Sequence, residues 1–137
     1  MWHPWTETFD IRVYYEDTDF SGRVYHVSYL RFLERGRTEW LRLRGLEHRE
    51  IAGSSGVVFA VRNLRIDYLA PALLDDLLRV ETQVTGFRGA SIDFVQRIFR
   101  GGKELATATV LVAAIRDGKP SRIPDSLRRM MAAPERG

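Results

Sequence analysis

Cysteine is absent from this 137-residue chain. That removes a disulfide framework, a thiol nucleophile and a cysteine-based metal cluster together. It also fits a reducing compartment such as the cytoplasm. Long apolar runs are missing too: the longest, Val110 to Ile115, falls far below the roughly 20 residues a membrane-spanning helix needs. Histidine is scarce, and His3, His26 and His48 do not pair at metal-ligand spacing. Lysine is rarer still, with 2 against 19 arginines and a net charge of +3. The arginines are spread along the whole chain with acids between them, and RGASIDFV (88–95), faintly like an RNA-binding strand, lacks the base-stacking aromatics. The opening MWHPWTETFD lacks a basic start followed by an apolar core, so no signal peptide is expected. The absences predict a cytoplasmic protein with no membrane span, no nucleic-acid partner and no metal.

What is present fits one domain over residues 1–137, with no repeat, linker or low-complexity tract. Residues 8–15, TFDIRVYY, have the β-branched and aromatic character of a first strand. The period then changes. Tyr29, Leu33, Gly36, Trp40 and Leu43 recur at spacings of three and four, with charged residues filling the other positions. That is one apolar stripe on a helix over 29–43, with Ser28 as its expected cap and Gly45 as its stop. A short connection, helical in part, leads to the turn cluster 53-GSSG-56. Strands are expected at 57–69, 78–87, 91–99 and 104–116, with glycine-containing turns between the last three. A weak helical signal follows near 125–131. The strand-helix-strands order predicts an α+β fold in which the helix buries its stripe on the sheet. The sheet edges would be free for a second copy to cover.

Chemistry concentrates in 14-YYEDTDFSGRVYHVSYLRFLE-34. An EF-hand reading fails because the twelfth position from Asp17 is Ser28, not a bidentate glutamate, and a strand precedes the loop where a helix is required. A nucleophile elbow fails because neither Ser21 nor the Ser54–Ser55 pair has glycines at the needed spacing. Glu16 and Asp17 suit turn geometry. Asp19 stands apart, because its loop runs directly into a helix N-terminus. Unpaired N–H groups and the helix dipole favour negative charge there. A carboxylate facing such donors leaves room for a carbonyl whose oxygen becomes negative, which suits acyl transfer.

The run YYEDTDFSGRVYHVSYLRFLERGRTEWLR resembles the signature of the Tol–Pal-associated acyl-CoA thioesterases, in the hot-dog superfamily of 4-hydroxybenzoyl-CoA thioesterase. LRIDYLAPALLDD (64–76), GFRGASIDF (86–94) and RDGKPSRIP (116–124) extend the likeness over nearly the whole chain. The resemblance implies a single hot-dog domain, a long central helix wrapped by a five-stranded antiparallel sheet. It implies hydrolysis of an acyl-CoA thioester, with coenzyme A as part of the substrate and no separate cofactor. Asp19 corresponds to the catalytic carboxylate, as nucleophile or general base, and Tyr15 and His26 to its neighbours. The backbone N–H near His26 would polarise the thioester carbonyl, and Arg88 is the candidate for the coenzyme A phosphates. Active sites are expected at the interface of a homodimer, alone or within a homotetramer. An acyl-carrier-protein thioesterase and a non-catalytic acyl-binding or scaffold protein are the alternatives. The chain departs from the family pattern at Phe20-Ser21-Gly22-Arg23, where members commonly carry Ala-Gly or Gly-Gly after the second aspartate. A phenyl ring in that loop is expected to narrow or reshape the acyl pocket.

Overall fold

The structure, a computed structural model, describes residues 6–132. Strand β1 (Thr6–Arg12) leads through a single 3-10 turn (Tyr15–Asp17) to helix α1 (His26–Arg42) and helix α2 (His48–Ser55). Four long strands follow, β2 (Val58–Tyr68), β3 (Leu77–Arg88), β4 (Ser91–Arg100) and β5 (Lys103–Arg116). A two-residue β6 (Lys119–Pro120) and helix α3 (Asp125–Ala132) complete the described chain. The sheet is antiparallel throughout, in the order β1-β3-β4-β5-β2, with β6 attached to β5. This is the expected architecture: a long helix against a five-stranded curled sheet in one hot-dog domain.

Period-two burial drives the sheet. Along β5, Ala106, Ala108, Val110, Val112 and Ala114 are all buried on one face. Helix α1 supplies the opposing layer with Tyr29, Phe32, Leu33, Trp40 and Leu41, each buried. It lies against β3 and β1. The approach is closest at Gly36, where a Cβ would stand 2.8 Å from both Thr82 Oγ1 and Val80 Cγ1. Beneath it runs a buried polar network: Arg37 Nη1 donates to Gln96 Oε1, and Gln96 Nε2 donates to the Leu33 carbonyl and Thr82 Oγ1. The Gln96 amide thus both accepts and donates inside this layer, where a low dielectric makes an unpaired polar group costly. At the far end of α1 the buried Arg44 donates to Glu7 on β1 and to the Met131 carbonyl on α3. One guanidinium therefore ties three elements together.

Several local expectations are corrected. The first strand ends at Arg12 and not at residue 15, because Tyr14 and Tyr15 enter the 3-10 turn whose last residue, Asp17, bonds back to Tyr14. Helix α1 starts three residues before Tyr29, and Ser28 lies buried inside its first turn instead of capping it. Tyr25 holds the N-cap position without a side-chain cap bond. Gly45 does end the helix region in the left-handed conformation, with φ +77. Helix α2 (His48–Ser55) occupies most of the connection and takes in Gly53, Ser54 and Ser55 of the expected turn cluster, leaving Gly56 at φ +73 to close it. The two sheet edges are β1 and β2, and no helix among the described residues is long and apolar enough to cross a membrane.

Candidate active site

The acidic loop is built from backbone geometry. Asp17, a buried residue, uses its carboxylate to accept from the Tyr14 N–H and its carbonyl to accept from the Tyr25 N–H. It is therefore a turn residue, as the sequence suggested. Thr18 then bridges to Val24, and Arg23 bridges to Leu73. Between them Asp19 to Gly22 form a reverse turn, with the Gly22 N–H donating to the Asp19 carbonyl at 3.2 Å. Gly22 takes φ +81, a conformation that glycine adopts without a steric cost. The Asp19 N–H is held by the Arg23 carbonyl, and the Gly22 carbonyl by the Leu74 N–H. The turn is thus fastened at its base and against the segment that precedes β3.

Asp19 Oδ1 accepts two hydrogen bonds from Ser21, one from its N–H at 2.8 Å and one from its hydroxyl at 2.6 Å. Asp19 Oδ2 accepts none from the described residues. The Ser21 hydroxyl, then its N–H, and the nearby Arg23 charge hold the Asp19 carboxyl below the usual carboxylate range. Asp19 is therefore ionised at neutral pH.

A cleft of about 340 Å3 opens beside it, lined by Asp19, Arg23, His26, Tyr29, Tyr68 and the 69–71 segment. His26 is the first residue of α1. The Tyr25 and Ser28 N–H groups are taken by the Asp17 and Tyr25 carbonyls. The N–H groups of His26 and Val27 donate to no acceptor among the described residues, so the positive end of the helix is open at this point. Tyr68 donates its hydroxyl to the His26 carbonyl at 3.2 Å and packs edge-on against the His26 ring. Tyr29, also edge-on to Tyr68, accepts from the Ala72 N–H. The two phenols fix the walls of the cleft and leave its acid and its helix donors uncommitted.

Of the residues singled out from sequence, Asp19 and His26 share this cleft. Tyr15 is 81% exposed in the protomer and is not among the lining residues. Arg88 lines a separate groove with Arg62 and Thr109, and its Nε is 3.1 Å from Asp93. Phe20 is fully exposed and lies outside the cleft, so within one protomer its ring does not narrow the space beside Asp19. Tyr68 and Tyr29 carried no functional signal in the sequence, where they read as ordinary strand and helix aromatics. A second cavity, about 430 Å3, lies under the C-terminal half of α1 between α2 and β2. It is walled by Leu41, Phe59 and Phe94, with Glu34, Arg37 and His48 at its polar side. It is larger than the cleft, and His48, the first residue of α2, brings a helix start to its wall; unlike the cleft, it does not contain Asp19.

The sequence profile of the thioesterase-like superfamily matches residues 13–131. The chain is 48% identical over 112 residues to the acyl-CoA thioesterase YbgC of Haemophilus influenzae, covering 82% of each protein. Among solved structures, a probable thioesterase from Bartonella henselae superposes with a TM-score of 0.84 at 41% identity, over 87% of this chain and 99% of that one. A 4-hydroxybenzoyl-CoA thioesterase, at 20% identity, shares the fold with a TM-score of 0.85 over 93% of this chain and 99% of that one.

Proposed function

The chain belongs to the thioesterase-like superfamily, and we propose that within it the chain is an acyl-CoA thioesterase whose Asp19 carboxylate drives hydrolysis. One observation carries the mechanism: an ionised carboxylate and the open N-terminus of a long helix line the same cleft. A thioester carbonyl seated between them meets a nucleophile or base on one side. On the other, the His26 N–H is positioned to take the charge that develops on oxygen.

The leaving group makes a simple site sufficient. A thiol has a pKa near 8.5 and departs as thiolate without a strong general acid. Two routes use the same carboxylate. In one, Asp19 adds to the carbonyl, the C–S bond breaks to release CoA thiolate, and water opens the mixed anhydride. In the other, Asp19 takes a proton from water as that water adds to the carbonyl, and the tetrahedral intermediate then expels the thiolate. Both require Asp19 to be ionised, so the rate should fall on the acid side as that carboxylate takes up a proton.

The active unit is a homodimer. Strand β2 is an eleven-residue sheet edge, with Val58 and Val61 about half exposed on it, and an edge of that length invites pairing with a second copy. Antiparallel pairing of two such edges sets the Tyr68 end of one strand beside the Val58 end of the other. The cavity under Phe59 in one protomer then approaches the cleft beside Tyr68 in its partner. That supplies apolar space for an acyl chain next to Asp19. Tyr15, exposed near the loop, and Arg88, 69% exposed at its side chain, are the candidates for acyl and coenzyme A phosphate contacts in the assembled enzyme.

Release of free thiol from a panel of short aliphatic, long aliphatic and aromatic acyl-CoAs tests the reading. Turnover of at least one class is expected. No turnover of any class, together with turnover of acyl carrier protein thioesters, would transfer the same chemistry to the second substrate type.

A further inference from the structure

We infer that Ser21 is a positioning residue for the reaction, its hydroxyl clamping one oxygen of Asp19 so that the other is presented to the acyl group. The inference rests on the reading of Asp19 as the reactive carboxylate. It concerns a residue at which this chain departs from the glycine or alanine pattern described above.

Asp19 is exposed, and a short carboxylate in water samples several rotamers. Two donors from one residue converge on its Oδ1, the Ser21 N–H at 2.8 Å and the Ser21 hydroxyl at 2.6 Å. Any residue but proline at position 21 retains the first. Only a hydroxyl residue supplies the second, which fixes the carboxylate plane as well as the direction of the side chain. The two tyrosine hydroxyls of the cleft are engaged elsewhere. The Tyr68 hydroxyl donates to the His26 carbonyl, and the Tyr29 hydroxyl accepts from the Ala72 N–H. Among the described residues, Ser21 is thus the single side-chain hydrogen-bond donor to Asp19.

The titratable and charged groups that face Asp19 are Arg23 from its own loop, His26 and Tyr29 from α1, and Tyr68 from β2; the 69–71 segment contributes none. Of these, Arg23 acts on Asp19 in the same direction as Ser21, favouring the charged form. Removing the Ser21 hydroxyl therefore has two separable effects. The carboxylate is less well oriented, which slows turnover, and it binds a proton more readily, which moves the acid limb of the rate profile to higher pH. A nucleophilic role for Ser21 is the less favoured chemistry, because a carboxylate held below its usual range is a poor base for a hydroxyl.

The test is the pH dependence of thiol release from an acyl-CoA that wild type turns over. Wild type, Ser21→Ala, Ser21→Thr and Asp19→Asn are compared, with the thermal unfolding midpoint of each as a folding control. For Ser21→Ala the expected result is an about tenfold lower kcat with KM nearly unchanged, in line with the cost of small misplacements of a reacting group. Its acid limb should move to higher pH, and Ser21→Thr should restore both. If Ser21→Ala keeps the wild-type kcat and limb while Asp19→Asn is inactive, the positioning role is wrong and the Asp19 reading stands. If Ser21→Ala is as inactive as Asp19→Asn, Ser21 takes part in the chemistry itself and the positioning role is again wrong. If Asp19→Asn is fully active, both readings fall.

Discussion

At the scale of single residues, a side chain and the backbone that carries it have separable roles. His26 enters the proposed mechanism through its N–H, since its imidazole packs edge-on against Tyr68 and its carbonyl accepts from the Tyr68 hydroxyl. Substitution by alanine keeps the N–H, so kcat should drop by no more than about threefold, against the roughly 10²–10³ expected when an oxyanion donor is lost. His26→Pro makes the opposite cut. Proline is tolerated at the first position of a helix, where its N–H would have no partner inside the helix, and Tyr25 before it is already extended. The helix should therefore survive, with kcat reduced about a hundredfold or more. Steady-state kinetics on both variants, with helix content by circular dichroism, measure the contrast. Equal losses in the two would place the role in the ring. The sequence allowed this distinction to be posed, because a Tyr-His pair at the start of an apolar-striped helix puts a backbone donor beside an acid. It did not reveal Ser21 as the partner of Asp19. Aspartate followed two residues later by serine is an Asx-turn pattern, and the same pattern occurs in loops with no chemistry at all.

At the scale of elements, the site depends on how closely α1 is held to the sheet. Gly36 allows that approach, and its neighbours Thr82 and Val80 are stiff β-branched residues on β3. Alanine at position 36 gains up to about 1 kcal/mol in helix propensity. It also places a methyl within 2.8 Å of two buried atoms, and overpacking of this kind costs about 1–3 kcal/mol. The clash should prevail, so Gly36→Ala is expected to unfold at lower denaturant with an unchanged slope. A stabilised variant would show that the helix can lift from β3 without penalty. The strands and α1 were legible from periodicity because each buries one face only. The boundaries near the site were not. Tyr14 and Tyr15 have strand character, yet the Asp17 carboxylate captures the Tyr14 N–H and turns the chain away from the sheet. Ser28 has cap chemistry, yet it is buried within the first turn of the helix, because the chain enters α1 from a loop held by its own backbone.

At the scale of the whole molecule, one protomer offers a cleft beside Asp19 and an apolar cavity at the other half of α1. Neither alone supplies both the reacting groups and a place for an acyl chain. In the proposed dimer, pairing along β2 would join them; the sequence points the same way only through the expectation of open sheet edges. Val61→Glu, at a half-exposed position on that edge, should shift the sedimentation profile from dimer towards monomer. The protomer's far-ultraviolet circular dichroism should be preserved, and thiol release should be lost in step with dissociation. A monomeric variant with full activity would mean that one protomer holds a complete site.

In the proposed mechanism the negative charge of Asp19 carries the hydrolysis of an acyl-CoA. The decisive comparison is kcat/KM for thiol release with wild type and Asp19→Asn, side by side, on the best substrate of the panel. The substitution keeps the size of the side chain, its Oδ1 acceptor and the turn, and removes the charge. A loss of at least about a hundredfold is expected, close to 3 kcal/mol of transition-state stabilisation, with the unfolding midpoint unchanged. A folded Asp19→Asn variant that retains wild-type kcat/KM would contradict it.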